Sequence, residues 1–291
     1  MAKQYGSATA FKAALEAHLR TQAKKRGAPF QTVQLKFVME RLLARLFRER
    51  QPPWLLKGGF AMDLRFRPKA RTTKDVDLTV SLTVVGVKPD FAVALRDRLQ
   101  AAAEAELGDH LVFRIGAPRT ELTNAPGGGA RYPCEAILAG KVYAKFHIDV
   151  GVGDALVGVP EQLTGDDVLS FAGIGPAEAL AIPAAQQFAE KVHAYTYPWT
   201  GRVNTRTKDL VDVVLLIERG GLDVNLVREA LTQTFSVRGT HPIPESLPRP
   251  PQQWSADFEA MAREAELSTL ECERAYEVLH RYFELHGLIG K

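Results

Sequence analysis

Residues 54–59 have the sequence WLLKGG and residues 74–80 have the sequence KDVDLTV, and the fold class follows from these two segments. The first is a short apolar run that ends in two glycines, which is typical of a strand entering a tight turn. The second alternates acidic and apolar residues, so it predicts a strand on which Asp75 and Asp77 project to the same face. Together the segments predict a sheet with paired carboxylates on one face.

A third acid has a similar setting, because Asp149 lies between apolar residues in the segment 147–150, HIDV. A carboxylate on a mostly buried strand must be paired, metal-bound or near a sheet edge. Three carboxylates on neighbouring strands would form an oxygen-ligand site for Mg²⁺ that leaves positions for substrate phosphates. Gly58 and Gly59 would let backbone N–H groups approach such a phosphate, particularly if residue 60 begins a helix. Taken singly, each feature also fits a plain turn or an exposed strand.

The remaining pattern predicts a sheet region followed by a helical region. Apolar residues at helical spacing or helix-forming composition predict helices over 7–26, 32–49, 60–66, 90–107, 183–196, 206–218, 222–234 and 254–286. Alternation predicts strands over 110–115, 132–138 and 141–150, with a hairpin turn at Ala139-Gly140. Residues 151–182 show little periodicity and are interpreted as a linker. We therefore expect an α/β (α+β) fold with a mixed sheet, preceded by basic helices, with domains over 1–165 and 166–291, the second mainly helical.

Composition excludes several classes of protein. The chain has 291 residues, of which 46% are hydrophobic and 24% charged, so it can bury a sizeable core and is neither disordered nor collagen-like. No apolar run approaches the roughly 18 residues that a membrane helix needs, and the N-terminus lacks an apolar signal core. Cys134 and Cys272 have no cysteine or histidine at metal-site spacing, so we expect two buried thiols. The expected location is the cytoplasm, with no membrane partner.

Basic residues are concentrated near the N-terminus, although the net charge of the whole chain is only +3. Residues 1–50 contain eleven Lys or Arg and three acids, which gives this segment a charge of +8. A cationic segment on a less basic body favours a polyanion partner, because neutralising phosphates releases counterions. A solvated helix face explains the same charges equally well. The candidate RNA-binding residues are Lys24, Lys25, Arg26, Arg41, Arg45 and Arg48.

Several motifs together resemble a known family. The segments 57–59 (KGG) and 71–77 (RTTKDVD), followed by Asp149, have the order found in the polymerase-beta-like nucleotidyltransferase superfamily. The wider run resembles the AbiEii-type nucleotidyltransferase toxins of bacterial toxin–antitoxin pairs, which include the MenT group. Residues 190–194 (EKVHA) are similar to the family's helical lysine motif, and residues 207–212 (TKDLVD) to its helical Lys-Asp or Arg-Asp motif.

The resemblance implies a polymerase-beta-like nucleotidyltransferase domain and the transfer of a nucleoside monophosphate from an NTP, dependent on Mg²⁺ or Mn²⁺. Asp75 and Asp77 would be the catalytic metal ligands, together with Asp149. Lys191 would bind the triphosphate from a cleft between the domains, and Asp209 would position that lysine or a substrate hydroxyl. An exposed lysine and an acid in the first turn of a helix are the plainer explanations of these two. Residues expected near the nucleotide phosphates are Lys57, Gly58, Gly59, Arg71, Thr73 and Lys74.

The chain departs from the wider superfamily in two respects. The gap between Gly59 and Asp75 is longer than the compact spacing, and Phe60 replaces the small hydroxyl residue that often follows the glycines. Thr73 would touch a phosphate or be a modification site, and a plain turn threonine fits equally well. Arg71 and Lys74 would pair with phosphates, or with the carboxylates when metal is absent.

The resemblance also suggests partners, namely a cognate antitoxin and an RNA acceptor. The expected acceptor is the 3′ end of a tRNA, extended from a pyrimidine NTP, which would block translation. A nucleotidyltransferase acting on a small molecule or a protein hydroxyl is one alternative. A catalytically silent RNA- or partner-binding module is another, although such a module has no reason to keep Asp75, Asp77, Asp149, Lys191 and Asp209 together.

Overall fold

The computed structural model describes residues 5–67, 70–85, 91–122, 125–199, 201 and 204–288. The chain forms two compact units, each assembled from three stretches of sequence. The sheet unit comprises Met1–Phe60, Thr73–Gly153 and Gln162–Ala181. The helical unit comprises Ala61–Thr72, Asp154–Glu161 and Ile182–Lys291. This division differs from a single boundary after residue 165.

Among its described residues, the first part of the chain supplies five α-helices and the strands of the sheet. The helices are α1 (Ala8–Arg26), α2 (Phe30–Leu46), α3 (Gly58–Phe66), α4 (Leu82–Val85) and α5 (Phe91–Ala103). The strands are β1 (Trp54–Lys57), β2 (Asp75–Val80), β3 (Val112–Ile115), β4 (Thr120–Glu121), β5 (Gly129–Leu138), β6 (Lys141–Val152), β7 (Glu161–Thr164) and β8 (Glu178–Ala181). The helices that follow are α6 (Ala184–Thr196), α7 (Thr207–Arg219), α8 (Val224–Arg238), α9 (Ser255–Glu264) and α10 (Cys272–His286).

The strands form one mixed sheet in the order β3-β5-β6-β2-β1-β8-β7, with β4 paired to β5. Strand β2 is antiparallel to β1 and parallel to β6, and β5 is antiparallel to β6. The predicted α/β class with a mixed sheet is therefore confirmed. The expectation of a linker over 151–182 was wrong, because this segment contributes β7 and β8, and β8 pairs in parallel with β1. Strands of only four residues are too short to give a clear alternation in the sequence.

The long hairpin of β5 and β6 turns at the predicted residues. Ala139 and Gly140 have φ angles of 51° and 72°. Positive φ at both central positions is what a two-residue type I′ turn requires, and this turn matches the twist of the strands. It pairs Leu138 with Lys141 and so sets the register of the hairpin, in which Ala136 and Ile137 flank one irregularity.

The core of the helical unit follows from the apolar stripes in its sequence. Phe188 and Val192 on α6 and Leu210 and Val214 on α7 are completely buried, in a cluster that α8, α9 and α10 extend. The segment predicted as one helix over 254–286 forms two, because residues 265–271 separate α9 from α10. None of the helices in the described parts of the chain combines the length and the apolar character that crossing a membrane requires.

The structure corrects the prediction that Arg41 and Arg45, on α2, bind RNA. Arg41 and Arg45 are only 4% and 3% exposed, so they do not present charge to a polyanion. Both point to the fully buried Asp109: Nε of Arg41 donates at 2.7 Å, and Nη2 of Arg45 donates at 2.6 Å. Burial opposes ionisation of Asp109, but its two arginine partners outweigh this and hold its pKa below the ordinary value. The spacing along α2 predicts that the arginines share a face, but not that a distant acid covers that face.

This buried charge cluster predicts a large loss of stability on removal of its acid. Asp109→Ala leaves two buried guanidinium groups without a counter-ion, which costs about 3–5 kcal/mol in the free energy of unfolding. Asp97→Ala, at an exposed acid paired with Arg96, is the matched control and should stay within about 0.5 kcal/mol of wild type. Urea denaturation of the three proteins measures the difference. Equal midpoints for Asp109→Ala and wild type would show that the cluster does not stabilise the fold.

Candidate active site

The sheet unit aligns four charged residues in one row across neighbouring strands. In register, Lys57 on β1 lies opposite Asp77 on β2, Asp77 opposite Asp149 on β6, and Asp149 opposite Arg131 on β5. Residues directly opposite one another project to the same face of a sheet. We call these four residues the charged row. It places two carboxylates side by side with a cation on either flank.

A second row on the same face adjoins the first. Asp75 precedes Asp77 by two residues and lies opposite His147, whose Nδ1 is 3.5 Å from Oδ1 of Asp75. Both side chains remain substantially exposed, at 38% and 41%. The intervening Val76 and Ile148 are fully buried, so the alternation of β2 and β6 separates an acidic face from the core. The prediction that Asp75 and Asp77 share a face agrees with this register.

Gly58 lets the backbone at the start of α3 lie close to the acidic face of the sheet. It is the first residue of α3 and has a φ of 66°, a left-handed conformation that glycine adopts without strain. A Cβ atom at this position would overlap the carboxylate of Asp77. The backbone at the start of α3 therefore lies directly against that carboxylate, and the glycine is required both for its conformation and for the lack of a side chain.

Asp149 is held by Arg131. Nε of Arg131 donates to Oδ1 of Asp149 at 2.7 Å and Nη2 donates to Oδ2 at 2.6 Å, which is the bidentate geometry of a strong charge-assisted pair. These hydrogen bonds raise the pKa of Arg131 above its ordinary value, and the charges of Asp75 and Asp77 contribute to the increase. Arg131 was not among the residues predicted from the sequence, since strand register, which places it beside Asp149, is not visible there.

The donor set of this face suits a hard divalent cation. Asp75 and Asp77 offer carboxylate oxygens, and Mg²⁺ is commonly held by one or two carboxylates plus substrate phosphates. Asp149, the third predicted ligand, uses both of its oxygens for Arg131. Within the described residues, no three His, Cys, Asp or Glu side chains are grouped closely enough to form a metal cage. The arrangement therefore fits a cation held by the two residues of β2.

The helical unit contains a separate cluster of buried charges. Nζ of Lys191 on α6 lies 2.8 Å from Oδ1 of Asp209 and 2.9 Å from Oδ2 of Asp212, both on α7. Burial disfavours the charged form of the lysine, but the two carboxylates outweigh it and raise the pKa of Lys191. The ammonium group of Lys191 is therefore held in its charged form. The two predicted residues of this unit, Lys191 and Asp209, are in direct contact.

Asp212 links this pair to Arg71. Nε and Nη2 of Arg71 donate to the two oxygens of Asp212 at 2.9 and 2.8 Å. Burial opposes ionisation of Asp212, but Lys191 and Arg71 outweigh it and hold its pKa below the ordinary value. Asp212 was not selected from the sequence, although its position three residues after Asp209 on a helix places both on the same side of α7. Arg71, predicted to bind phosphate, is engaged by this acid.

The other predicted residues have varied settings. Thr73 is half-buried and Lys74 is exposed at the start of β2, while Gly59 is buried within α3. Lys24 and Lys25 are exposed at the end of α1, and Arg48 is exposed beyond α2. The side chain of Arg26 pairs with Asp166 at 2.8 Å. The exposed residues among the predicted RNA-binding set therefore lie at the end of α1 and just beyond α2.

The sequence pattern of one family, described as the nucleotidyl transferase AbiEii toxin of type IV toxin–antitoxin systems, matches residues 41–280 of the chain. A comparison of the chain with curated proteins found no match. One similar solved structure is MenT4, a nucleotidyltransferase toxin from Mycobacterium tuberculosis H37Rv, with 15% identity, a TM-score of 0.48, and coverage of 75% of this chain and 68% of that chain. Another is a putative nucleotidyltransferase from H. pylori, with 13% identity, a TM-score of 0.41, and coverage of 88% and 94%. Both TM-scores are below 0.5, so the family assignment depends on the sequence match.

Substitution of Gly58 tests whether close contact with Asp77 matters beyond backbone conformation. Gly140 is the matched control, since its φ is 72° and a Cβ there would meet no atom within 4 Å. Gly140→Ala should cost only the left-handed strain of roughly 1–2 kcal/mol. Gly58→Ala should cost a further ~1–3 kcal/mol because the new methyl group must displace the carboxylate. Urea unfolding of both variants measures this, and equal losses would contradict a close contact.

Proposed function

The chain belongs to the AbiEii family of nucleotidyltransferase toxins of type IV toxin–antitoxin systems, and from this membership we propose that it transfers a nucleoside monophosphate from an NTP to the 3′ end of a tRNA. Transfer of pyrimidine nucleotides would block the use of that tRNA in translation. The observation that carries the proposal is the pair of carboxylates, Asp75 and Asp77, on one face of β2 beside the glycine that begins α3. Family membership also implies a cognate antitoxin.

The chemistry is the attack of an acceptor hydroxyl on the α-phosphorus of the NTP. The hydroxyl loses its proton to solvent as its oxygen forms a new bond to the α-phosphorus. The bond between the α-phosphorus and the oxygen that leads to the β-phosphate breaks, and pyrophosphate leaves. Little covalent chemistry is required of the protein, so catalysis consists of positioning and charge neutralisation. Asp75 and Asp77 would hold Mg²⁺ or Mn²⁺, which supplies positive charge to the phosphates when bound. The first backbone N–H groups of α3 would approach the phosphates from Gly58 and Gly59.

Lys191 supplies the fixed positive charge of the helical unit in this proposal. Its ammonium group remains protonated at physiological pH because Asp209 and Asp212 raise its pKa. A preorganised cation of this kind stabilises the charge that develops on transferring phosphates. Asp209 contacts the lysine directly, which supports a positioning role for this acid. Asp212 shares that role and also anchors Arg71.

The proposed acceptor is an RNA because of the exposed basic residues that remain at the end of α1. Lys24 and Lys25 are exposed in the last turn of the helix and follow Arg20, which is also exposed. Cations on one exposed helix end can track a phosphate backbone without reading its sequence. Neither Arg41 nor Arg45 takes part, since both are buried against Asp109.

The catalytic assignment predicts loss of activity without loss of the fold when Asp75 is removed. Asp75→Ala should lower transfer of label from α-labelled NTP to total tRNA by about 100-fold or more, because the metal loses one of two ligands. Each of the four NTPs is tested separately, and we expect CTP or UTP to be the substrate. The control Asp97→Ala should remain active. Full activity of folded Asp75→Ala would refute the metal assignment, and labelling of a small molecule but not of RNA would support the alternative acceptor.

The acceptor assignment predicts a weaker salt dependence of tRNA binding when the end of α1 is neutralised. Replacing Lys24 and Lys25 together with Gln should reduce the slope of log affinity against log salt by about 0.9 for each lost phosphate contact. The matched control replaces Lys141 and Lys145, two exposed lysines on β6. A filter-binding titration from low to high salt compares both with wild type. Identical slopes for all three proteins would remove this surface from the proposed interface.

A further inference from the structure

Arg131 is the one member of the charged row that no motif of the sequence indicates. It lies on β5, opposite Asp149, and its guanidinium group projects from the same face of the sheet as Asp75 and Asp77. Its side chain is 39% exposed, whereas that of Asp149 is only 14% exposed. The cation is therefore the accessible partner of the pair, and the carboxylate lies beneath it.

The hydrogen bonds of Arg131 leave part of the guanidinium group available. Nε and Nη2 are used by Asp149, and no hydrogen bond of Nη1 to any described residue is present. A guanidinium group has five N–H donors in a fixed plane, so a fork that uses two of them still presents donors on its outer side. Oxygens of phosphate and carboxylate groups both match this geometry.

The bidentate pair also bears on the role of Asp149. Both of its oxygens accept charge-assisted hydrogen bonds shorter than 2.8 Å, so it could coordinate a cation only by giving up at least one of them. Asp75 and Asp77 supply the two carboxylates that a magnesium site of this type commonly uses. The acidic face thus presents two carboxylates on β2 and a guanidinium group on β5.

We propose that Arg131 binds the phosphate groups of the nucleotide and that Asp149 is the positioning residue that holds its guanidinium group, and not a third metal ligand. This inference rests on the proposed function, because the nucleotide is the NTP substrate of the proposed transfer. On the other flank of the row lies Lys57, already expected near phosphate, so an NTP drawn to the acidic face meets a cation on either side. Arg131 compensates the repulsion between that polyanion and three carboxylates.

Binding measurements separate the two roles without relying on turnover. Dissociation constants for each Mg²⁺–NTP are measured by calorimetry without acceptor RNA, and the affinity for Mn²⁺ alone is measured by electron paramagnetic resonance. Arg131→Gln should raise the nucleotide dissociation constant at least tenfold and leave Mn²⁺ affinity within about twofold of wild type. Arg131→Lys keeps the charge but loses the fork, so its nucleotide affinity should be intermediate.

Asp149→Asn tests the positioning role. It should reproduce the loss of nucleotide affinity seen in Arg131→Gln, and the double variant should be no weaker than either single variant, since the two residues act as one unit. The matched control is the neighbouring cross-strand pair of Glu135 and Lys145, also joined between β5 and β6. Lys145→Gln and Glu135→Gln remove an ion pair from the same ladder and should bind nucleotide as wild type does.

The outcomes distinguish this inference from the proposed function. Wild-type nucleotide affinity in Arg131→Gln would overturn the inference while leaving nucleotidyl transfer intact. A tenfold loss of Mn²⁺ affinity in Asp149→Asn, without one in Arg131→Gln, would show that Asp149 is a metal ligand and would also overturn it. Failure of wild-type protein to transfer any of the four nucleotides would instead count against the proposed function. If Arg131→Gln does not fold, the single variants Arg131→Lys and Asp149→Asn replace it. Wild-type nucleotide affinity in both of them would overturn the inference.

Discussion

The register of strand β6 between its two neighbours is the constraint on which the acidic face depends. Strand β6 pairs in parallel with β2 and antiparallel with β5, and both pairings must be correct for Asp149 to lie between Asp77 and Arg131. A slip of one residue would turn Asp149 toward the core and bring Ile148 or Val150 to the charged face. Burial of those apolar residues and the tight turn at Ala139 and Gly140 together exclude that slip.

The two units each contain a cluster of buried charged side chains, and the clusters differ in their exposure to solvent. In the sheet unit, Asp109 neutralises two arginines of α2 and is completely covered, so the cluster is part of the core. In the helical unit, Lys191 is shared between two acids of α7, and its side chain keeps 12% of its surface exposed. The cluster around Asp109 is closed to ligands, whereas the partly exposed Lys191 can also contact one. Both arrangements require every charge to be paired, because an unpaired buried charge is strongly destabilising.

The sequence predicted those parts of the structure that depend on local pattern. Alternation identified β2 and β6, and the two glycines marked the start of α3. Helical spacing identified α6 and α7, so Lys191 and Asp209 could be placed on helices. Pairings between distant segments leave no such pattern, which is why the covering of Arg41 and Arg45 by Asp109, and the fork between Arg131 and Asp149, were not predicted. The short strand β8 was missed for a related reason, since its pairing with β1 defines it more than its own four residues do.

The interleaving of the two units also constrains how the protein is made. The polypeptide passes from one unit to the other five times, and the last stretch, Ile182–Lys291, supplies most of the helical unit. A ribosome therefore completes the sheet unit, with Asp75 and Asp77, at Ala181, and it reaches Lys191 and Asp209 only afterwards. Under the roles proposed above, a prematurely terminated chain has the carboxylates but not the fixed cation. Nucleotidyl transfer then requires translation to continue past Asp209.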